Sequence, residues 1–495
     1  MATYLWRATV ITHRYLGVAV GLLMLVWFFS GIVMMYVSFP GLSAEQRIRV
    51  LGPIQWQSCC SLDAQTWDDD QPIRSLELNS VSGEPVMKLR PEGQPMRVMS
   101  LGPNGPSIEL DMARARTIAR EAAPRIIGTA AEPAVAEEID LDQWTVGAGY
   151  NAHRPLYRFS FDDPARTTMY VSSSTGDVVL WTTGSERFWN WLGAIPHWLY
   201  PTFLRQNGPL WSQIVIWASI VGGFLTLIGL YLGIMQFKRG SSGRISPYRG
   251  WFYWHHIGGL VFGVLSLTWV ISGTFSMDPW GFLAGQPGNE RVRLAGDPPK
   301  WREVRASLAA IQRNPPTGNV VRLESAPFDG LLYWLATHED GAVSRLDAVG
   351  NGAPIFPEDL QAIAARLAGN NQIVSAELRT EEDEYYFSHH NTVALPAYRI
   401  ILGDAESTRY YIDPVTGSLL RRVDANSRAE RWLFSSLHRL DFPILRTRPL
   451  WDIVVVLLML GGTALAATGV YLAFSRIKRD LTFARRPRII RQPAE

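Results

Sequence analysis

Two histidines in this chain are each followed by two glycines at helical spacing. His13, Gly17 and Gly21 stand four residues apart, and so do His255, Gly259 and Gly263. On a helix, residues four apart lie along one face. A histidine above a strip of bare backbone leaves room for something flat. Imidazole is a common axial ligand of haem iron, and two histidines from two helices at one depth are what a six-coordinate b-type haem requires. Plainer readings compete. Glycines four apart also make helix-packing faces, and a histidine at a span end can sit among lipid headgroups.

A second duplicated pair is His197 and His438, lying thirteen or fourteen residues before Trp211 and Trp451. Pro196 and Pro201 interrupt any helix near His197, so the segment is expected to fold back at the membrane interface. His256 adjoins His255, stands where the first copy has Arg14, and could substitute as ligand. Met35 and Met277 are also equivalent; methionine can ligate haem iron, but it is also ordinary apolar filling. His389-His390 has no duplicated partner and reads as a polar loop or a metal or substrate contact. His153, His338 and Asp68-Asp69-Asp70 read as loop and turn residues. Cys59 and Cys60 are adjacent, which excludes zinc-ribbon and thioredoxin spacings; they read as an incidental loop pair or a redox or metal element.

The histidines must be held by membrane helices. The 495 residues are 47% hydrophobic and only 19% charged, with nineteen Trp, several at the ends of apolar runs. A net charge of +2 gives no nucleic-acid signal. Four runs can cross a bilayer, near Tyr15–Val37, Trp211–Gln236, Trp254–Met277 and Leu450–Phe474. The first exceeds a signal-peptide core and no A-x-A-like site follows, so it reads as an uncleaved span. Arg7 and Arg14 precede it. Lys238, Arg239, Arg244 and Arg249 crowd the link between spans two and three. Arg476, Lys478, Arg479, Arg485, Arg486, Arg488 and Arg491 follow span four. Positive charge stays cytoplasmic, so both termini are expected inside and the two long intervening segments exported.

A shift of 240 to 242 residues maps the chain onto itself. Trp27, Ser30 and Gly31 fall on Trp269, Ser272 and Gly273; Gly229 and Tyr231 fall on Gly469 and Tyr471. Each half holds two spans, so the expected fold is a membrane protein of four transmembrane helices as two parallel repeats, with two periplasmic α+β domains. The expected boundaries are 1–38 (first span), 39–186 (first periplasmic domain), 187–240 (interfacial segment and second span), 241–253 (cytoplasmic loop), 254–277 (third span), 278–430 (second periplasmic domain), 431–475 (interfacial segment and fourth span) and 476–495 (basic tail). Each exported segment ends alike. A helix is expected at Leu110–Ala123 or Glu358–Leu367. A hairpin follows, Leu156–Phe161 with Thr168–Ser172, or Ala397–Leu402 with Thr408–Ile412. No protease, hydrolase, P-loop or dinucleotide motif is present, so no hydride donor is expected within the chain.

With these features the chain resembles the PepSY-associated transmembrane proteins of bacterial inner membranes. The resemblance rests on the repeated His-x-x-x-Gly span openings, on Leu437-His438-Arg439, and on Tyr411-Ile412-Asp413-Pro414-Val415-Thr416-Gly417, which is similar to the end of a PepSY domain. The first copy has Ser174 at the turn, and Trp254-His255-His256 departs from the usual single histidine. The resemblance implies haem ligation by His13, His255, His197 and His438, and haem-containing reduction of ferric siderophores at the periplasmic face. The expected function is therefore a di-haem b electron conduit. His13 and His255 would serve one face and His197 and His438 the other, although ligands could instead pair within one half. The expected partners are a ferric siderophore or other ferric chelate, a quinol or cytoplasmic electron donor, and membrane lipid, with no nucleic acid. A different reading is a membrane-anchored domain that binds or restrains a periplasmic protein or peptidase without cofactor. Transport is a third; it lacks an intramembrane acidic residue, the nearest being Asp452 at a span end.

Overall fold

The computed structural model describes residues 2–60, 67–102, 108–237, 245–285, 288–388 and 393–484. Lys238, Arg239, Arg244, His389, His390 and Arg485, Arg486, Arg488 and Arg491 lie outside the described residues. The chain divides into a helical unit (1–39, 188–284, 427–495) and an α+β unit (40–187, 285–426).

The helical unit holds four helices long and apolar enough to cross a membrane: Ala2–Met34, Gly208–Gln236, Trp251–Phe275 and Leu450–Ala484. The first begins well before the expected Tyr15, because Thr3 to Arg14 carries no helix breaker, and so His13 sits three turns inside it. The first and third spans each pack against both the second and the fourth. Between them lies an apolar core of Met24, Phe28, Met35, Trp269, Trp451, Val455 and Met459. Met35 is thus filling. Large apolar residues such as Phe29, Phe224, Val264 and Leu457 remain exposed on the outer faces, as lipid-facing positions require.

In the α+β unit, two four-stranded antiparallel sheets repeat one design. The helix Met112–Ile127 covers strands Val135–Ile139, Leu156–Ser160, Thr168–Ser172 and Val178–Thr182. The helix Pro357–Ala368 covers Ile373–Arg379, Ala397–Leu402, Arg409–Ile412 and Leu419–Val423. The expected helices and hairpins are found within a few residues. Gly176 and Gly417 occupy the expected turns with φ of +71° and +74°.

The two segments are not, however, separate domains. Strands Ile73–Val81, Glu84–Pro91 and Arg97–Ser100 join Val320–Ser325, Trp334–His338 and Val343–Leu346 in one six-stranded antiparallel sheet. Leu78 lies opposite Leu323. The join is driven by one shared apolar core in which Leu76, Leu78, Met87 and Leu89 meet Trp301, Leu308, Leu323 and Trp334. Cys59 and Cys60 form a disulfide with each other inside this core, 3% and 5% exposed. The acidic turn is tied down too: Asp70 pairs with Lys300 and Arg302, and Asp69 with Arg305. These pairs are exposed and add little stability each.

Each four-stranded module is pinned by the same half-buried carboxylate. Asp142 accepts from Tyr170 Oη at 2.7 Å and pairs with Arg158. Asp383 accepts from Tyr411 Oη at 2.8 Å, from Arg399 at 2.9 Å and from the amides of Tyr385 and Tyr386. These bonds hold the Asp383 carboxyl below its usual range against the opposing effect of burial, while burial and the facing carboxylate push the Tyr411 phenol up. Removing the carboxylate leaves the Tyr411 hydroxyl without its acceptor and Arg399 with only Glu377. Asp383→Ala is therefore expected to destabilise the α+β unit by about 2–4 kcal/mol. Thermal unfolding measures this; Tyr411→Phe, which removes one neutral donor, is expected to lose about 1 kcal/mol.

Candidate functional site

The four duplicated histidines come together as two pairs, both inside the helical unit and both made across the two halves of the sequence. The imidazoles of His13 and His255 have centroids 6.3 Å apart with planes at 38°. Those of His197 and His438 are 6.1 Å apart with planes at 64°. The alternative of pairing within one half does not occur.

Each ring is fixed by a bond that also sets its tautomer. His197 Nδ1 lies 3.1 Å from the carbonyl oxygen of Trp27, and His438 Nδ1 lies 3.0 Å from that of Trp269. A carbonyl only accepts, so Nδ1 carries the proton and the lone pair is on Nε2. Ser30 and Ser272, whose hydroxyls donate back into their own helices, supply a second acceptor at 3.1 and 3.3 Å. His13 Nδ1 donates to the carbonyl of Leu225 at 3.3 Å. His255 Nδ1 donates to the Thr468 hydroxyl at 3.1 Å, which itself donates to the Leu465 carbonyl. In all four, Nε2 has no protein partner among the described residues.

His256 is the opposite case. Its Nε2 donates to the Gly233 carbonyl at 2.9 Å, so Nδ1 holds the lone pair and accepts from the Ser246 hydroxyl at 2.8 Å. Both ring nitrogens are used and the residue is 7% exposed. It closes the end of the second span against the third; His255, not His256, presents a free nitrogen.

The rings fit because glycines stand where they pass. A Cβ on Gly229 would lie 2.7 Å from His13 Cε1, and one on Gly469 would lie 3.1 Å from His255 Cε1. Likewise Gly31 and Gly273 face His197 and His438, at 3.5 and 3.1 Å. The glycines singled out from the sequence do something different. Gly17, Gly21, Gly259 and Gly263 line a cavity of about 660 Å³ beside His13 and His255. Nothing lies within 4 Å of the Cβ that Gly17 lacks, whereas Gly263 also packs closely on Leu230.

His197 and His438 are carried by short segments outside the spans, and each segment is stitched to a span in the same way. The indole of Trp211 donates to the carbonyl of Trp198 at 2.9 Å, and that of Trp451 donates to the carbonyl of Arg439 at 2.9 Å. Each acceptor directly follows its histidine. Two residues past each histidine, Leu199 and Leu440 turn the chain with φ of +51° and +50°. Leucine adopts this conformation only where the surroundings impose it. At one position the halves differ. Asn190 donates to the Ser38 carbonyl at 3.1 Å, while its counterpart Arg431 bonds Ser436 and the Asp441 carbonyl, beside an Asp441 carboxylate also held by Arg446. His197 and His438 are half-buried. Burial pushes them down to about 4 and about 3, so both are neutral at physiological pH, the form that ligates metal.

These donors fit haem. Two metal–imidazole bonds of about 2 Å each, with roughly 1 Å from each nitrogen to its ring centre, come to about 6 Å, which matches both pairs. The protein carbonyls behind Nδ1 are the outer-shell partners expected of metal-bound histidine. Among the described residues no three His, Cys, Asp or Glu side chains converge. A haem iron needs only two protein ligands, since the porphyrin supplies the rest. His153 bonds Ser172 and His338 bonds Ser344, in keeping with structural roles.

Arg431 closes the segment that carries His438, and its loss leaves the 1%-exposed Asp441 with less compensation. Arg431→Ala is expected to destabilise that segment by about 3 kcal/mol, seen as faster limited proteolysis between residues 427 and 449 with the α+β unit unchanged.

No curated protein matches the chain. The family model of the PepSY-associated TM region matches residues 10–337, well over half of the chain. The protein therefore belongs to the PepSY-associated transmembrane family.

Proposed function

We propose that this protein is a di-haem b electron-transfer protein of the bacterial inner membrane that reduces ferric chelates, siderophores among them, in the periplasm. The observation that carries the reading is the two cross-half histidine pairs, each with Nδ1–H bound and Nε2 free. Along the first span, His13 and Ser30, which touches His197, are seventeen residues apart; His255 and Ser272 repeat this on the third. At 1.5 Å per residue the two sites are ~25 Å apart along the helices, close to the thickness of about 30 Å that an electron must cross. The spans then form two parallel repeats, with both termini cytoplasmic and the α+β unit periplasmic.

His13 with His255, and His197 with His438, would hold the haem irons, and haems so held would supply one-electron transfer. The chain's own contribution is to hold the four imidazoles neutral, in one tautomer and at fixed separation. Ligands set so rigidly need little reorganisation when charge arrives. The apolar core between the pairs excludes water from the path. One electron from a quinol or a cytoplasmic donor converts Fe(III) in the chelate to Fe(II). The softer ion is bound less well by hard oxygen ligands, so iron leaves and the chelator is not broken. A plain membrane anchor gives no reason for two such histidine pairs.

The purified full chain is expected to show a b-type difference spectrum, dithionite-reduced minus oxidised, with two haems per chain. No absorption change would overturn the reading. His438→Ala is expected to lose one haem and keep the other, and His256→Ala to keep both. Gly229→Val, which drives a side chain into His13, is expected to lose only the haem that His438→Ala retains. Pyridine haemochrome assay against protein concentration gives the counts.

A further inference from the structure

The cavity beside His13 and His255 is apolar at one end and cationic at the other. Met24, Phe28 and Leu465 stand in its wall, and so do Arg14, Arg476 and Arg479. Arg476 lies seven residues beyond Gly469, the glycine against His255. This places it ~10 Å farther along the fourth span, and Arg479 one turn beyond, at ~15 Å. Arg476 pairs with Asp480 at 2.8 Å. Among the described residues, neither Arg14 nor Arg479 has a carboxylate partner. Arg14 is half-buried and Arg479 is exposed at the cationic end, so the two present positive charge to an anionic group on whatever fills the cavity.

The haem reading above, on which this inference rests, supplies such a molecule. Haem is flat and apolar except for two carboxylates on one edge. We infer that Arg14 and Arg479, with Arg476 beside them, clamp the propionate carboxylates of the haem held by His13 and His255. The clamp turns that edge toward the end of the cavity where the fourth span runs on past the membrane, and the apolar edge toward Met24 and Phe28. Arginine suits the task because its planar fork matches a carboxylate. The duplication does not foretell it: the second-half counterpart of Arg14 is His256, whose nitrogens are both bound within the protein.

The test compares the full chain's affinity for protohaem with that for its dimethyl ester, which has the same porphyrin but no carboxylates. Apoprotein from haem-limited cells is loaded with each form, and the rate and extent of transfer to apomyoglobin are followed by absorbance. The wild type is expected to hold the diacid at least about tenfold better than the diester. Arg14→Gln with Arg479→Gln is expected to bring that ratio close to one, and Arg14→Lys with Arg479→Lys to restore most of it. A ratio unchanged in the glutamine variant overturns the clamp, including the case in which these arginines hold lipid phosphate instead. A general weakening of the fold lowers both affinities together, leaves the ratio in place, and so also counts against it. A wild type that takes up neither form with a b-type spectrum overturns the haem reading itself, and the clamp with it.

Discussion

The helical unit depends on one small interaction, a histidine Nδ1–H donated to an oxygen on a neighbouring helix. It occurs four times, onto Trp27, Trp269, Leu225 and the Thr468 hydroxyl. Each bond does three things at once. It orients the ring, fixes the proton on one nitrogen, and thereby leaves the lone pair on the other. Three of the acceptors are helix carbonyls, and Thr468 passes its bond on to a fourth at Leu465. The bonds from Trp211 and Trp451 have the same character, since each secures the backbone directly after a histidine.

Glycine makes these bonds attainable. An imidazole reaches a carbonyl inside a neighbouring helix only where that helix has no side chain in the way. Gly229, Gly469, Gly31 and Gly273 provide that gap. Glycine weakens an isolated helix by about 1 kcal/mol relative to alanine. In a membrane helix the intrahelical bonds have no water to compete with them, so the penalty is easier to carry. The same reasoning accounts for Gly17 and Gly259, which face open cavity and not a ring. At the His13–His255 pair two sets of glycines thus act together, Gly229 and Gly469 making room for the rings and Gly17 and Gly259 for the cavity beside them.

Much of this was legible in the sequence, because the chain repeats itself. Spans, duplicated histidines and the ends of the α+β modules all follow from periodicity and from one shift of about 241 residues. The glycines and tryptophans that seat the histidines lay in that same repeat, but a repeat records which positions matter and not what each touches. Gly229 is as visible in sequence as Gly17; only the packing of one helix on another tells them apart. The six-stranded sheet was illegible for a different reason. Strand alternation reports which face is buried, not which strand lies alongside, and Leu78 meets Leu323 across half the chain. Asp383 was hidden by its neighbours: within Glu381-Glu382-Asp383-Glu384 nothing marks the one carboxylate that turns inward to Tyr411 and Arg399.

The departures from symmetry carry as much meaning as the symmetry. Because each pair takes one histidine from each half, perfect duplication would make the two sides of each site alike, so that on the haem reading each centre would have two equivalent ligands, while the two sites would still differ from one another. With the same two axial imidazoles at each site, a difference has to come from charge, hydrogen bonding and exposure around the ligands. The halves diverge in those respects. Arg14 and its counterpart His256 both line the cavity beside His13 and His255, but His256 has both ring nitrogens bound within the protein. Arg431, Asp441 and Arg446 form a charge cluster near His438, where the first half has the neutral Asn190 bonded to the Ser38 carbonyl. Duplication therefore set the spacing of the paired histidines, and the later divergence of these few polar positions is where the chain makes the two sides of each pair unequal.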